Sequence, residues 1–301
     1  MMIARKGIWM MLLSAVFFAA MSALVRGATG VHSYTMVLAR FVVGTVLVAL
    51  FFVFGLEKMR WRNWPWIVAR GVSGGIACIL SYWAIQEVGL ARAVTLHHTY
   101  VIFAALFAVP LLGERVGLRQ WVAIFTAAVG TGLLCGVGMQ AVSYGDLVAL
   151  VSGIAAGFAI VCVTRCRRTD SASNIFWSQS IFGIVLVAWP AARVWSPPTP
   201  AEWLVLLAIG LLATAGQLTM TYAYKFTGAA YGSLLSLLSP VLTAAIGILY
   251  FGEHQGAGFY TGAFLVLLAC ADLSLHPVRR SAQDVADALM EETASAKPVL
   301  R

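Results

Sequence analysis

Three ionisable side chains could carry binding chemistry because they lie inside long apolar stretches. Arg40 interrupts one apolar run, and the adjacent His97 and His98 interrupt another. An arginine in the middle of a membrane helix costs about 2.5–3.5 kcal/mol on insertion scales, so such a residue is a candidate for function. The planar guanidinium matches the geometry of a carboxylate. A neutral imidazole can hydrogen-bond a ligand or relay a proton near pH ~6.5.

Each of these side chains also has a purely structural interpretation. Arg40 can extend to the membrane interface or bond carbonyl groups of a neighbouring helix, and each histidine can serve in packing. Adjacent helical residues point about 100° apart, so His97 and His98 cannot both face one cavity, and a two-histidine metal site is not expected. Arg70, near one end of the next apolar run, is predicted to extend to the headgroups of the interface.

Uncharged polar and aromatic side chains within the apolar runs complete the candidate binding set. Tyr82 and Tyr100 lie at a depth similar to that of Arg40, where their rings can stack on an apolar part of a ligand. Pro240 is predicted to break its helix and free a carbonyl group, as in many binding regions inside membranes. In the second half of the chain the candidates are Trp177, Gln179, Gln217, Tyr222, Ser236 and Ser239.

The positions of the acidic residues restrict the ligand. None of the twelve Asp and Glu residues lies near the middle of an apolar run. A site for a lipophilic cation requires a buried carboxylate to offset the positive charge, so such a ligand is not expected. The buried charge is positive instead. It favours a ligand that bears a carboxylate or another anionic group and is neutral or zwitterionic overall.

Sequence motifs for cofactors and metals are not found. The chain has no Gly-rich phosphate loop, no HExxH zinc motif and no pair of carboxylates within an apolar run. The five cysteines form no CxxC pair and are interpreted as small packing residues. No catalytic residue, metal or cofactor is therefore predicted.

The elements that carry the candidate residues are predicted to be membrane-spanning helices. The chain has 301 residues, of which 61% are hydrophobic and 11% charged, and its mean hydropathy is +0.88. A soluble domain carries roughly 25% charged residues, so a soluble enzyme is nearly excluded, and no room remains for a second, soluble domain. The sequence predicts an all-α integral membrane protein with ten transmembrane helices, at residues 7–26, 34–55, 64–86, 93–112, 119–138, 146–165, 174–192, 202–224, 230–251 and 256–275.

The basic residues predict the orientation of these helices. With a cytoplasmic N-terminus, 15 Lys and Arg residues fall inside and three, Arg26, Arg92 and Arg193, fall outside. The positive-inside rule therefore predicts that both termini are cytoplasmic, in a bacterial-type inner membrane. It also accounts for the formal net charge of +8. The expected partner of the chain is thus the lipid bilayer, and no nucleic-acid partner is expected.

The two halves of the chain match each other at a shift of 139 residues. Gly113-Glu114 falls on Gly252-Glu253, and Gly44 falls on Gly183. Each half has five predicted helices, an odd number, so the second half is predicted to be an inverted repeat, which provides conformations open to opposite sides. Chance matching of small residues is the alternative. The predicted units are a first repeat at 1–138, a second repeat at 139–275 and a polar cytoplasmic tail at 276–301.

With five helices in each half and a helix in each half that closes with Gly-Glu, the chain resembles the drug/metabolite transporter superfamily, EamA type. The resemblance covers residues 7–275 and departs from the pattern at Val101, where the repeat would place a proline opposite Pro240. It implies a central cavity lined by the first to fourth and sixth to ninth predicted helices, with the fifth and tenth peripheral. The motifs that carry it are Arg40-Phe41, Tyr82-Trp83-Ala84, Gly113-Glu114, Gly228-Ala229, Ser236-Leu237-Leu238-Ser239-Pro240 and Gly252-Glu253.

The candidate residues and the resemblance predict a secondary transporter that moves a small organic metabolite by alternating access. Export of an amino acid or related carboxylate-bearing compound is the preferred hypothesis, and uptake of a vitamin or nucleoside-like metabolite is the alternative. A membrane-embedded enzyme or receptor without a transport cycle is the competing class. Glycines at GxxxG spacing, such as Gly71/Gly75 and Gly153/Gly157, indicate close packing within one chain or a homodimer interface.

Overall fold

Every regular element in the described part of the chain is a helix. The computed structural model describes residues 2–28, 30–88, 93, 96–114, 116–134, 143–251 and 257–275, and it contains no strand within these ranges. The helices are α1 (Met2–Gly27), α2 (Ser33–Val53), α3 (Trp64–Val88), α4 (Tyr100–Leu112), α5 (Leu118–Leu134), α6 (Tyr144–Cys166), α7 (Ala172–Arg193), α8 (Pro200–Thr227), α9 (Ala229–Leu235), α10 (Leu238–Phe251) and α11 (Ala257–Leu275).

Six of these helices, α1, α2, α3, α6, α7 and α8, are long and apolar enough to cross a membrane. Shorter apolar helical segments occur at Leu96–Leu112, Ala229–Leu242 and Tyr260–Ala269. Many large apolar side chains also point outward, and Leu204, for example, is 70% exposed. Because an apolar surface of this kind suits lipid and not water, these helices are those of a multi-pass membrane protein.

Capping residues determine where two of the long helices begin. Ser143 and Asp146 form a reciprocal capping box at the start of α6, in which each side chain accepts from the backbone N–H of the other residue. Thr199 and Glu202 form the same motif at the start of α8, with Pro200 as the first helical residue. These caps place both helix starts two residues before the predicted positions.

The predicted helix at 230–251 is divided into α9 and α10 by a turn at Ser236 and Leu237. Pro240 explains the break, because a proline has no N–H to donate to the carbonyl four residues earlier, which here belongs to Ser236. The backbone N–H of Ser239 donates to that carbonyl instead, at 3.0 Å. The sequence prediction that Pro240 interrupts its helix agrees with this geometry.

A second break occurs in the predicted helix at 93–112, although Val101 stands where the repeat would place a proline. The segment Leu96–His98 is helical, Thr99 forms a turn, and α4 begins at Tyr100. The Thr99 hydroxyl donates to the carbonyl oxygen of Leu96 at 2.6 Å. Such a side-chain bond competes with the helical ladder, so this threonine accompanies a break without a proline.

Helices from the two halves of the chain pack against each other. Helix α1 lies along α8, α3 lies along α6, α2 crosses α7, and α5 packs on α11. At the α2–α7 crossing, a Cβ atom added to Gly44 would come within 2.7 Å of the Phe176 ring, and one added to Gly183 within 2.5 Å of the Phe41 ring. The two glycines therefore allow these helices to approach closely at the centre of the bundle.

The GxxxG glycines in α3 and α6 also pack within the chain. Added Cβ atoms at Gly71 and Gly75 would meet side chains of α7, and those at Gly153 and Gly157 would meet the segment 96–104. The predicted C-terminal tail at 276–301, the Gly252-Glu253 motif and residues 135–142 lie outside the described residues.

Candidate functional site

Arg40 lies in the interior of the bundle, between helices of the two halves. It follows Ser33, the first residue of α2, by seven residues, which is about 10 Å along the helix. Its side chain is only 7% exposed, and Nη2 donates to Oε1 of Gln217 on α8 at 3.4 Å. Tyr82 of α3 lies beside the same guanidinium. The structure thus brings together three residues that the sequence predicted as ligand contacts.

Arg70 is also buried, and the prediction that it extends to the membrane interface is wrong. Its side chain is 5% exposed, and Nη2 donates to Oε1 of Gln179 on α7 at 2.7 Å. Gly74, one turn later on α3, leaves room for the guanidinium, because a Cβ atom there would collide with Nη1. An acceptor on the neighbouring helix and a missing side chain on its own helix therefore direct Arg70 inward.

The two guanidinium groups share one feature, the lack of a carboxylate partner. Among the residues that the structure describes, no carboxylate lies within 4.0 Å of Arg40 or Arg70. The Nε atom of each arginine is buried and has no hydrogen-bond acceptor. Cys78 lies near both groups, and Nε2 of Gln179 is 4.0 Å from its Sγ atom. The interior therefore carries two positive charges with unused hydrogen-bond capacity.

His97 lies at the break before α4 and contacts α6. Its Nδ1 atom is 2.9 Å from the hydroxyl of Ser152, and that hydroxyl donates to the carbonyl oxygen of Ala149 at 2.7 Å. Because the hydroxyl has only one proton and donates it to Ala149, Nδ1 of His97 is the donor in its contact with Ser152. This contact fixes the orientation of the His97 ring.

Tyr100 joins the two helix breaks. Its hydroxyl forms a short hydrogen bond with the Ser236 hydroxyl, and Ser236 donates in turn to the Ser233 carbonyl oxygen at 2.6 Å. The His98 ring lies 5.5 Å from the Tyr100 ring, between centroids. Ser239 follows the second break, in the first turn of α10. Predicted residues from both halves therefore meet where the two helices are interrupted.

Trp177 and Tyr222 have their main contacts elsewhere. The Trp177 ring packs edge-on against Phe52 at the end of α2, with 5.3 Å between centroids. The Tyr222 ring lies beneath two cations, 5.5 Å from Nζ of Lys6 and 5.7 Å from Cζ of Arg167. Since Tyr222 follows Gln217 by five residues, it points about 140° away from it around α8. The described contacts of these two aromatic residues do not place them with Arg40.

Sequence reasoning missed Ser152, which holds His97. Tyr224, on the same helix as Gln217, is fully buried, and its hydroxyl has no hydrogen-bond partner among the described residues. A hydroxyl or a tyrosine inside an apolar run was a visible signal, since such groups cost free energy unless they are satisfied. For Arg70 the available signal was Gly74, four residues later on the same helix face.

The Gly-Glu pair after α4 has a clear structural role. Gly113 ends α4 in the left-handed conformation, with φ of 69°. The Glu114 carboxylate then accepts from the backbone N–H groups of Ala229 and Ala230, at 2.9 and 3.3 Å. Helix α9 has no side-chain cap from its own N-cap residue, Gly228. Glu114 therefore caps a helix that lies 115 residues away in sequence.

The loops at 54–63 and 167–171 meet at one end of the bundle, which is named the basic end here because of its Lys and Arg residues. The backbone N–H of Arg62 donates to Asp170 Oδ1 at 2.8 Å, and the Ser171 hydroxyl donates to Glu57 at 2.6 Å. Asn174, in the first turn of α7, donates to the carbonyl oxygen of Lys58 at 3.1 Å. These bonds connect the two halves at the basic end.

One sequence motif suggests hydrolase chemistry but does not have the required geometry. Residues Gly71–Gly75 read Gly-Val-Ser-Gly-Gly and fit the Gly-x-Ser-x-Gly pattern. That pattern is catalytic when the serine stands on a sharp turn between a strand and a helix. Here Ser73 lies in the middle of α3 and donates to the Ala69 carbonyl oxygen at 2.6 Å. The described residues also contain no group of three metal-ligating side chains.

The family model for the EamA-like transporter family matches the chain twice, over residues 5–136 and 143–275. The chain is 27% identical to the pseudopaline exporter CntI of Pseudomonas aeruginosa, over 90% of this chain and 96% of that one. It is 25% identical to human solute carrier family 35 member G1, over 82% and 73% of the two chains. It is 21% identical to a riboflavin transporter of Vibrio cholerae, over 93% and 96%.

A solved crystal structure shares the fold, with a TM-score of 0.76 at 16% sequence identity over 90% of this chain and 97% of the other. The family model accounts for nearly all of the sequence outside the tail, and the relatives named above are transporters. The protein is thus a multi-pass small-molecule transporter, and it belongs to the EamA-like transporter family.

Proposed function

We infer that this protein is a secondary transporter that exports a small carboxylate-bearing metabolite, such as an amino acid or a related compound, across the inner membrane. The observation that carries this proposal is the buried Arg40, bonded to Gln217, beside Tyr82 and without a carboxylate partner among the described residues. A permanent positive charge in a membrane interior is costly unless an anionic group offsets it. A substrate carboxylate supplies that group.

The proposed mechanism is alternating access between two inverted five-helix halves. The 139-residue shift relates α1 to α6 and α3 to α8, so the packing of α1 along α8 corresponds to that of α3 along α6. The two helix breaks, at Thr99 and at Ser236-Leu237, also lie within about two residues of each other under this shift. These correspondences support the inverted repeat. In this proposal the ten spans are the six long helices together with α4, α5, α9 with α10, and α11.

In this proposal the substrate contacts Arg40, Tyr82 and Gln217 through its carboxylate, as guanidinium and hydroxyl donors suit that group. Tyr100 and His97 lie at the break before α4, and they offer a ring face and an imidazole to the rest of the substrate. The further candidates near these groups are His98, Gln179, Ser236 and Ser239. In this proposal Trp177 and Tyr222 contribute only in another conformation. No metal or cofactor takes part.

The orientation proposed from the basic residues places both termini and the basic end in the cytoplasm. Loop contacts such as that between Arg62 and Asp170 then hold the cytoplasmic end closed. Opening toward the cytoplasm requires these bonds to separate, whereas opening toward the outside leaves them intact. Gly132 differs from the glycines at GxxxG spacing that pack within the chain, because no described atom lies within 4 Å of a Cβ added there. We assign it to the contact of a homodimer.

Uptake of a vitamin or nucleoside-like metabolite is the second candidate, favoured by the similarity to a riboflavin transporter. Export is preferred because a relative of higher identity is an exporter. The experiment that tests the proposal is a flux screen with purified protein in proteoliposomes, with and without a pH gradient. Saturable flux of carboxylate compounds supports it. Flux confined to uncharged vitamins or nucleosides, or no flux of any compound, contradicts it.

A further inference from the structure

Arg70 forms a second buried cation that the proposed carboxylate site around Arg40 does not use. It lies six residues after Trp64, at the start of α3, or about 9 Å along the helix. Among the described residues, its side-chain hydrogen-bond partner is Gln179, which is neutral and leaves the positive charge uncompensated. A snorkelling arginine would place its guanidinium at the interface. The 5% exposure of Arg70 excludes that role in this conformation.

A second unused donor lies within electrostatic range of Arg70. The Tyr224 side chain is fully buried, its hydroxyl has no hydrogen-bond partner among the described residues, and it interacts electrostatically with the Arg70 guanidinium. The Nε atom of Arg70 also has no acceptor among the described residues. Buried donors without partners are rare in folded proteins, and each requires an explanation. These two donors, one on α3 and one on α8, leave room for an acceptor that the described residues do not supply.

The Arg40 and Arg70 groups lie at different depths along one line of polar side chains. Tyr82, which lies beside Arg40, and Arg70 are twelve residues apart on α3, about 18 Å along its axis. Cys78 lies between them and is near both guanidinium groups. Gln179 bridges from Arg70 toward Cys78. Polar side chains therefore lie along the path between the Arg40 and Arg70 guanidinium groups.

We propose that Arg70, with Gln179 and Tyr224, binds a second anionic group of the substrate, so that the transported compound carries two separate carboxylates. This inference rests on the proposed carboxylate transport and adds a substrate class to it. Arginine keeps its charge at any physiological pH, so a substrate with one carboxylate leaves one of the two buried charges without a counter-ion. A dicarboxylate offsets both. Both guanidinium groups are covered here, so the ligand reaches them as the halves separate.

The test compares acids with their side-chain amides, which have nearly the same size but one carboxylate fewer. The probes are L-aspartate, L-glutamate and L-2-aminoadipate, each paired with its amide. The measurement is the probe concentration that gives a half-maximal rise in the unfolding temperature of the purified protein in detergent. A second charge-assisted hydrogen bond corresponds to roughly a ten- to hundred-fold difference in concentration between the best acid and its amide.

Variants then assign the effect to Arg70. In Arg70→Gln the acid and the amide should act at equal concentrations, and Arg70→Lys, which keeps the charge, should retain part of the preference. The matched control is Arg119→Gln on α5, because Arg119 pairs with Asp272 at the exposed surface. This control should leave the preference unchanged. Unfolding temperatures without probe, and a monodisperse elution profile, establish that each variant is folded.

The outcomes separate this inference from the proposed function. The second carboxylate site is overturned if acid and amide stabilise the parent protein at equal concentrations, or if the preference for the acid survives in folded Arg70→Gln. Either result leaves the proposed transport of a monocarboxylate intact. No response to any member of the acid and amide pairs contradicts both proposals. An acid preference that disappears in Arg70→Gln and remains in Arg119→Gln supports the two-carboxylate substrate.

Discussion

Replacement of Glu114 by alanine should destabilise the protein far more than its half-buried position in a loop suggests. The carboxylate accepts from two backbone N–H groups at the start of α9, and Ala229 and Ala230, which carry them, are 0% and 3% exposed. Helix α9 has only seven residues and no side-chain cap of its own. A buried donor left without a partner costs about 1–3 kcal/mol, so leaving both donors unpaired should cost roughly 2–6 kcal/mol.

The matched control for this prediction is Glu202→Ala. Glu202 also accepts from a backbone N–H, that of Thr199 at 2.7 Å, but it caps its own helix at an exposed site. A local cap at an exposed site stabilises a protein less than the pairing of two buried donors does. The loss of stability is measured for each variant in detergent, by thermal or denaturant-induced unfolding, and the two losses are compared. Destabilisation by Glu114→Ala that is no larger than that by Glu202→Ala would refute the role of Glu114 as a long-range cap.

Three further predictions concern transport and topology. Transport should fall by roughly ten- to a hundred-fold in each of Arg40→Gln, Tyr100→Ala and Gln217→Ala, while the protein still reaches the membrane. The control Trp121→Ala on α5 should leave flux nearly intact. The opposite pattern in a proteoliposome assay would show that the site lies elsewhere. A reporter that is active only in the periplasm should be silent when fused at Arg301, and activity there would overturn the predicted orientation. Lipophilic cations should be poor substrates, and saturable transport of a cationic dye would contradict the charge preference.

The sequence indicated the grouping of Arg40, Tyr82 and Gln217, because polar side chains in apolar helices must find one another to lower their cost. Its interpretation of Arg70 failed for a tertiary reason. The position of Arg70 near the end of an apolar run is compatible with snorkelling. The side chain turns inward because its acceptor is Gln179, which lies 109 residues away in sequence. A pattern along one helix contains no information about an acceptor on another helix.

The helix breaks show the same division between local and tertiary information. Pro240 predicted the interruption between α9 and α10, because the missing N–H is a property of the residue itself. The break at Thr99 has no such marker, since a threonine inside a helix bonds backward only where its surroundings permit. Glu114 was identified as part of a motif, but its role became visible only when α9 was placed beside it.

The most direct test of the account is a comparison of one substrate with and without its anionic group. The carboxylate compound that gives the largest saturable flux in the proteoliposome screen is measured beside its amide, in the parent protein and in Arg40→Gln. We expect the parent protein to transport the acid with a KM roughly ten- to a hundred-fold lower than that for the amide, and Arg40→Gln to lose this difference. An amide transported as well as the acid by the parent protein would contradict the claim that a buried arginine selects the substrate.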